Sequence, residues 1–324
     1  MRQTAASAPG KVILFGEHFV VKGSRSLATA ISLRVKTIVR EYTGGRIRFH
    51  SPLANVNSWI DPSTLEYGDD RLAPLARMLS YLRDEMGFQI VPHEVYVESR
   101  LPVGAGLGSS ASLAAAYALA YTSFLGDPLS REDLLRASYE AEKVAHGNPS
   151  GVDNTIAVYG GGLIYRRGSG FEQVDIRLPT GSRLLVLDTG VSRDTRRVVE
   201  HVLRVADRTW PVSRLIYEAA DGIIDLALEA LESGDAVKLG LLMNLNQGLL
   251  NSVGASSGVI ERVVFRVREN GALGAKLTGA GWGGSVIALV WDSNVDCVVD
   301  SVRGHVRSVH DVEIGVEGAR VEEA

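Results

Sequence analysis

LPVGAGLGSSASLAAA, residues 101–116, decides the fold, because a strand, a glycine turn and a buried helix meet in it. The preceding HEVYVES, residues 93–99, alternates apolar and polar side chains as a half-buried strand does. Gly104, Gly106 and Gly108 then free the backbone to approach a ligand closely and to turn amide N–H groups toward it. The helix that follows adds the partial positive charge of its N-terminus, so the turn is built to cradle an anion such as a polyphosphate. Ser109 and Ser110 fall in its first turn, where a hydroxyl can bond a phosphate or ligate Mg²⁺. Gly104, Ala105, Gly106, Leu107, Gly108, Ser109 and Ser110 are therefore the candidate nucleotide-binding residues. A strand-to-helix turn with serine caps has the same composition, and neither the GxxxxGK[ST] loop nor the spaced dinucleotide fingerprint fits, so the loop alone leaves both readings open.

Outward from this segment, composition sets the frame. A chain of 324 residues, 45% hydrophobic and 22% charged, exceeds what one core usually organises, which predicts two domains. The net charge of −4 gives no sign of the basic surface that nucleic acid or an anionic membrane requires, so an anionic ligand must be held locally. The uncharged run from Leu101 to Gly126 has the length of a membrane span but is mostly Ala with Gly, Ser, Thr and Tyr, which predicts a buried helix instead. One cysteine, Cys297, excludes an intramolecular disulfide framework and a cysteine-rich zinc site, fits a reducing cytoplasm and, among valines, predicts core packing.

Residues 11–15, 33–42, 45–51 and 93–99 read as strands, and 74–86, 108–125 and 131–145 as helices. Ser130 caps the last of these, with Asp133 three positions on. After the strand RLLVLDTG, helical patterns run from Ser192 to about Ser252, before a mixed end. The change of pattern near Pro179–Arg183 predicts an N-terminal domain of 1–182 and a C-terminal domain of 183–324.

Three further segments carry chemistry-bearing residues. APGKVILFGEHFVVKG, residues 8–23, places Lys11 between a glycine and a strand in a chain with six lysines against twenty-eight arginines, so Lys11 reads as a compact cation. Glu17 and His18 stand at the far end of that strand and can contact a polar substrate. HGNPSGVDN, residues 146–154, is dense in Gly and Pro and predicts a fixed loop that aims Asp153. AKLTGAGWGGSVIALV, residues 275–290, is a glycine loop between two strand-like runs.

The order PGKVILFGEH, GAGLGSSA, HGNPSGVDN, KLTGAGWGG resembles the GHMP kinases, which phosphorylate small molecules, and covers nearly the whole chain. GEHFVV without a following Asp-Tyr, the full HGNPSGVDN and VSRDTRRVV are similar to the mevalonate kinase branch. The resemblance implies an α+β fold with a ribosomal S5-like N-terminal domain and a ferredoxin-like C-terminal domain. It implies ATP-dependent, Mg²⁺-assisted phosphorylation of mevalonate to 5-phosphomevalonate, a step of isoprenoid biosynthesis. A sugar kinase of the same family and a non-catalytic ligand sensor are the alternatives. The implied partner is a small molecule, with no nucleic acid and no membrane, and a homodimer is admitted.

Residue by residue, the resemblance makes Asp153 the group facing the acceptor hydroxyl and Lys11 its neighbour on the transferred phosphate. It makes Glu142, chosen over Glu140 by its spacing to the HGNPSGVDN loop, the Mg²⁺ carboxylate together with Ser110. His146 and Asn148 support the loop or touch substrate. Glu17, His18, Ser150 and Thr195 line the substrate, and the start of a helix at VSRDTRR, with Arg193 and Arg196, suits a carboxylate. One departure stands out: Trp282 occupies a position that mevalonate kinases fill with glycine, which predicts either that no positive φ is needed there or that the indole covers the entrance.

Overall fold

The computed structural model describes residues 2–102, 104–147, 149–192 and 194–323, with the side chain of His146 also left out. The expectations placed on His146, Asn148 and Arg193 therefore lie outside the described residues. In chain order the first half contains β1 (Gln3–Phe15), β2 (Arg25–Glu41), β3 (Ile47–Ser51), β4 (Val56–Ile60), α1 (Ala73–Asp84), β5 (His93–Ser99), α2 (Ser109–Leu125), α3 (Arg131–His146), α4 (Val152–Tyr159), β6 (Gly162–Arg166) and β7 (Gly170–Val174). The second half contains β8 (Ser182–Asp188), α5 (Thr195–Arg208), α6 (Val212–Ser233), α7 (Ala236–Ser252), α8 (Gly258–Glu269), β9 (Ala272–Thr278), β10 (Ser285–Trp291), α9 (Val295–Ser301), β11 (Ser308–Val312) and β12 (Arg320–Glu322).

The first sheet runs β12-β1-β2-β5-β3-β4, with β6 joined to β2 and β7 to β6. Its pairs are antiparallel except β3 with β5. α2 lies across β1 and β2, and its Ala111, Ala114, Ala115 and Ala118 are fully buried. Small side chains let it press onto the sheet, and a helix apolar all round is stable because protein surrounds it. No helix among the described residues is long and apolar enough to cross a membrane.

The second sheet runs β11-β8-β10-β9, all antiparallel, in a βαββαβ order with α5 to α8 in the first crossover and α9 in the second. Along β10 the period of two divides the core. Ile287 and Leu289 join the cluster that contains the first sheet, whereas Val286, Ala288 and Val290 face the cluster with Val263, Val264 and Val267 of α8. The two halves are thus sealed by shared apolar packing.

Four sequence expectations need correction. The last strand, β12, returns to pair with β1, so the chain from 183 onward does not stay in the second unit. Asp153 is not on a loop but in the first turn of α4, because Gly151, at φ +83°, turns the chain straight into a helix. β2 begins at Arg25, eight residues before the predicted strand, since its first part pairs with β6 rather than presenting an alternating face. Cys297 is exposed, because α9 buries Val298 and its neighbour, about 100° round the helix, points away from the core. The cap at Ser130 is as expected, its oxygen accepting the Asp133 amide at 3.2 Å.

Candidate active site

β1 brings Lys11 beneath the glycine loop. A register shift between Pro9 and Gly10 kinks the strand, and a Cβ on Gly10 would stand 2.9 Å from the Leu107 carbonyl oxygen, closer than any real Cβ contact. The Lys11 amide donates to that same carbonyl at 2.9 Å, and the Ser112 hydroxyl, 2.7 Å from the Pro9 oxygen, ties α2 down on the strand. Ala105 and Leu107 are buried, so this loop presents its backbone and the exposed Gly104 and Gly106 to any ligand.

Gly108 caps α2 at φ +76°, and a Cβ there would lie 3.1 Å from Lys11 Cγ and 3.7 Å from Asp153 Oδ2. The glycine therefore keeps open the point at which loop, lysine and aspartate meet. Lys11 Nζ is 3.2 Å from Asp153 Oδ1, with the lysine side chain 8% exposed and the aspartate 31%. A nearly buried cation thus neutralises a carboxylate that still reaches solvent, at the N-terminus of one helix and in the first turn of another. Tyr139 donates to the Pro149 carbonyl at 3.0 Å and Thr155 to the Gly151 carbonyl at 2.9 Å, which steadies the turn into α4.

A second polar group adjoins the loop. Ser110 Oγ donates to Glu142 Oε2 at 3.1 Å, and Glu142 is buried. Glu140, the neighbour passed over in favour of Glu142, is buried as well, and faces Arg77 at 2.6 Å and Lys143 on the other side. Burial pushes the Glu140 carboxyl up, but the hydrogen bonds from Lys143 and Arg77 outweigh it and hold the group below the usual carboxylate range. Glu140 is thereby committed to protein cations, and Glu142 accepts from the Ser110 hydroxyl in the first turn of α2.

The loop between β9 and β10 closes the site from the other half of the chain. Ser285 Oγ donates to the Ala105 carbonyl at 3.1 Å, and His18 Nε2 lies 2.6 Å from the Ala280 oxygen, so the two glycine loops and His18 form one assembly. Thr278 Oγ1 bonds both the amide and the carbonyl of Ile13, at 2.9 and 3.1 Å, fixing β9 on β1.

The remaining candidates are placed less as expected. Glu17 is turned away from any open surface: one carboxylate oxygen bonds Lys276 Nζ and the other accepts from Asn246 at 3.1 Å, all three groups being buried. Its placement replaces the substrate-contact reading with a link between the halves, since a buried carboxylate needs a cation more than a hydroxyl. Ser150 is exposed and accepts weakly from the Val152 amide at 3.4 Å. Thr195 opens α5, but the Asp194 side chain already accepts the amides of Arg196 and Arg197 at 3.0 and 3.3 Å. That helix end therefore carries its own carboxylate rather than an open site for one. Trp282 adopts φ +57°, and its indole is turned back onto the Gly254 carbonyl, 2.8 Å from Nε1, so neither expectation for it holds.

Residues 74–162 match the family model of the GHMP kinases N terminal domain, and residues 227–303 that of the GHMP kinases C terminal region. Mevalonate kinase of Aeropyrum pernix is 51% identical over the full length of both chains. The chain is a GHMP kinase. The mevalonate kinase of Pyrococcus horikoshii is 34% identical to this kinase over 89% of each chain. The crystal structure of L. major mevalonate kinase in complex with R-mevalonate superposes with a TM-score of 0.81 at 28% identity, covering 96% of each chain. Lactococcus lactis galactokinase superposes at 0.82 with 18% identity over 98% of this chain and 95% of that one, a likeness of fold alone. This GHMP kinase accordingly has the family's two-domain α+β architecture and is a phosphotransferase.

Sequence reasoning missed Lys276, Asn246, Thr278 and Ser285, although the scarcity of lysine that singled out Lys11 applies equally to Lys276. Ser112, in plain view after the glycine loop, carried no distinguishing signal.

Proposed function

We propose that this kinase transfers the γ-phosphoryl group of ATP to the primary hydroxyl of mevalonate, giving 5-phosphomevalonate. The observation that carries the reaction type is the Lys11–Asp153 contact of 3.2 Å at the end of the glycine loop. Phosphoryl transfer needs positioning and charge neutralisation more than covalent chemistry, and a buried cation beside an accessible carboxylate supplies both. The glycine loop cradles the donor phosphates with backbone amides at the α2 N-terminus. Lys11 stabilises the charge that develops on the transferring group. Asp153 holds the acceptor hydroxyl and receives its proton as the new O–P bond forms and the bond to the diphosphate leaving group breaks. His18, Ser150 and Thr195 form the acceptor wall.

Ser110 and Glu142 fit a Mg²⁺ ion: both offer hard oxygen atoms, they lie 3.1 Å apart, and they adjoin the phosphate loop. Among the described residues no group of three or more His, Cys, Asp or Glu is placed to hold a metal ion. Held by Ser110 and Glu142, the ion would supply positive charge against the donor phosphates.

Full-length similarity to mevalonate kinases supports the choice of acceptor over a sugar. A silent ligand sensor has no chemical need for Lys11, Asp153, Ser110 and Glu142 together. The proposal includes a cytoplasmic location, in keeping with the single cysteine, and a homodimer, which sedimentation velocity measures. The test is a panel of ATP with mevalonate, phosphomevalonate, galactose and homoserine. Mevalonate is expected to be the preferred acceptor by kcat/KM, and preference for another alcohol would overturn the substrate assignment.

A further inference from the structure

Trp282 is held in a conformation that a bulky residue avoids. At φ +57° its backbone lies in the left-handed region, which is strained for an aromatic residue and persists only where the surroundings enforce it. Glycine would adopt it freely. What enforces it here is visible. The Trp282 amide donates to the Ala255 carbonyl at 3.1 Å, and its indole N–H donates to the adjacent Gly254 carbonyl at 2.8 Å. The indole packs against His201 of α5 with ring centroids 5.2 Å apart. The fit extends to the glycines around it: a Cβ on Gly254 would stand 2.6 Å from His201 Nε2, and one on Gly281 would stand 1.9 Å from the Ala255 oxygen.

The same loop holds α5 a second time, ahead of its first turn. The Thr189 hydroxyl and amide both donate to the Gly284 carbonyl, at 2.7 and 2.9 Å, and the Gly284 amide donates to the Val191 carbonyl at 2.9 Å. The start of α5, with Thr195, is therefore bracketed between Thr189–Val191 on one side and His201 on the other, and both brackets rest on residues 282–284. Two residues before Trp282, the Ala280 oxygen meets the His18 ring. The phosphate loop meets this loop at the Ser285 hydroxyl, which donates to the Ala105 carbonyl at 3.1 Å, but it also has supports of its own on β1, through the Lys11 amide and Ser112, which do not pass through Trp282.

We infer that Trp282 is a positioning residue for the acceptor side of the site: with His201 it locks the last glycine loop, and through that loop it sets both His18 and the start of α5. The inference rests on the proposed roles of His18 and Thr195 in the acceptor wall. Trp282 itself need not touch substrate. Trp282→Gly removes the indole and relieves the backbone strain together, so a fall in activity cannot be assigned to a strained backbone. Trp282→Phe keeps a ring against His201 and loses the N–H donor. His201→Ala removes the other half of the contact.

The experiment measures kcat and both KM values for the wild type and these three variants, together with amide hydrogen exchange over residues 195–208. The acceptor is whichever alcohol of the panel the wild type phosphorylates best, so a failure of the mevalonate assignment shows in the wild type and stays separate from the variants. The expected result for Trp282→Gly is an acceptor KM raised on the order of 5- to 10-fold, with KM for ATP within about 2-fold and kcat within about 3-fold of wild type, as for lost uniform binding. Trp282→Phe should fall between, His201→Ala should resemble Trp282→Gly, and exchange should quicken in the first turns of α5 in both. An unchanged acceptor KM in Trp282→Gly, an equal rise in both KM values, or unchanged exchange over 195–208 would overturn the inference.

Discussion

Replacing Lys276 with methionine tests whether the buried ion pair joins the two halves of the kinase. Lys276 and Glu17 have side chains 0% and 1% exposed, and the lysine also donates to the Leu277 carbonyl at 2.7 Å. Burial pushes the Lys276 ammonium down from its usual range, while Glu17 works against that shift, so the charged lysine depends on its partner. Methionine fills nearly the same volume and leaves Glu17 buried with only the Asn246 amide. Breaking a buried pair by removing one partner costs about 3–5 kcal/mol. With an unfolding entropy of roughly 2.1 cal/mol/K per residue, a chain of 324 residues changes by about 0.7 kcal/mol per kelvin at its midpoint. The expected loss is therefore about 4–7 °C in Tm, read by calorimetry at neutral pH. The double variant Lys276→Met, Glu17→Gln removes both charges and should recover more than about half of that loss. A single variant melting within about 1 °C of wild type would show that the pair contributes nothing, and the reassignment of Glu17 from substrate to domain contact would fail with it.

Glu142→Gln should shift the Mg²⁺ dependence of activity to higher concentration by about 10-fold or more, and an unaltered titration would return Glu142 to a structural role. Thr195→Ala should raise KM for mevalonate several-fold and leave KM for ATP in place; equal values in variant and wild type would remove α5 from the acceptor wall. His93 gives a prediction for pH. Its Nδ1–H donates to the Val91 carbonyl at 2.8 Å, which leaves Nε2 to accept from the Tyr117 hydroxyl at 2.9 Å, so the ring is neutral. Burial pushes it down from 6.5 to about 4, against the hydrogen bond to Val91. The unfolded chain therefore takes up the proton first, and stability should be full above pH 6.5 and fall toward pH 4, by about 1.4 kcal/mol per pH unit and about 3 kcal/mol in all. Thermal unfolding from pH 7 to 4.5 should show this slope in the wild type and lose it in His93→Gln; parallel slopes would contradict the assignment.

The parts of the site legible in the sequence are those that depend on local backbone chemistry. Gly104, Gly106 and Gly108 announced a glycine turn between strand and helix, and all three adopt left-handed φ there, at +76°, +79° and +76°. Ser130 announced a helix start for the same local reason. What stayed hidden depends on contacts between distant segments. Glu17 and Lys276 are 259 positions apart, and nothing in either neighbourhood distinguishes a buried charge pair from a charge beside substrate. The early start of β2 was hidden because RSLATAIS is buried on both faces and carries no alternation. α4 was hidden because Gly and Pro density reads as loop, although Gly151 serves as the residue before the first helical turn. Trp282 misled for a related reason: a positive φ at an aromatic residue is enforced by Gly254 and Ala255, which sequence does not place beside it.

The most direct measurement is the turnover number of purified Asp153→Asn and Lys11→Met with saturating ATP, Mg²⁺ and mevalonate, with fold checked by circular dichroism and the product by ³¹P NMR. The account predicts a phosphomonoester from the wild type and a loss in kcat of about 10²-fold or more in each variant, with folds intact. Near-normal kcat in either variant would contradict the claim that the Lys11–Asp153 contact is where the phosphoryl group is transferred.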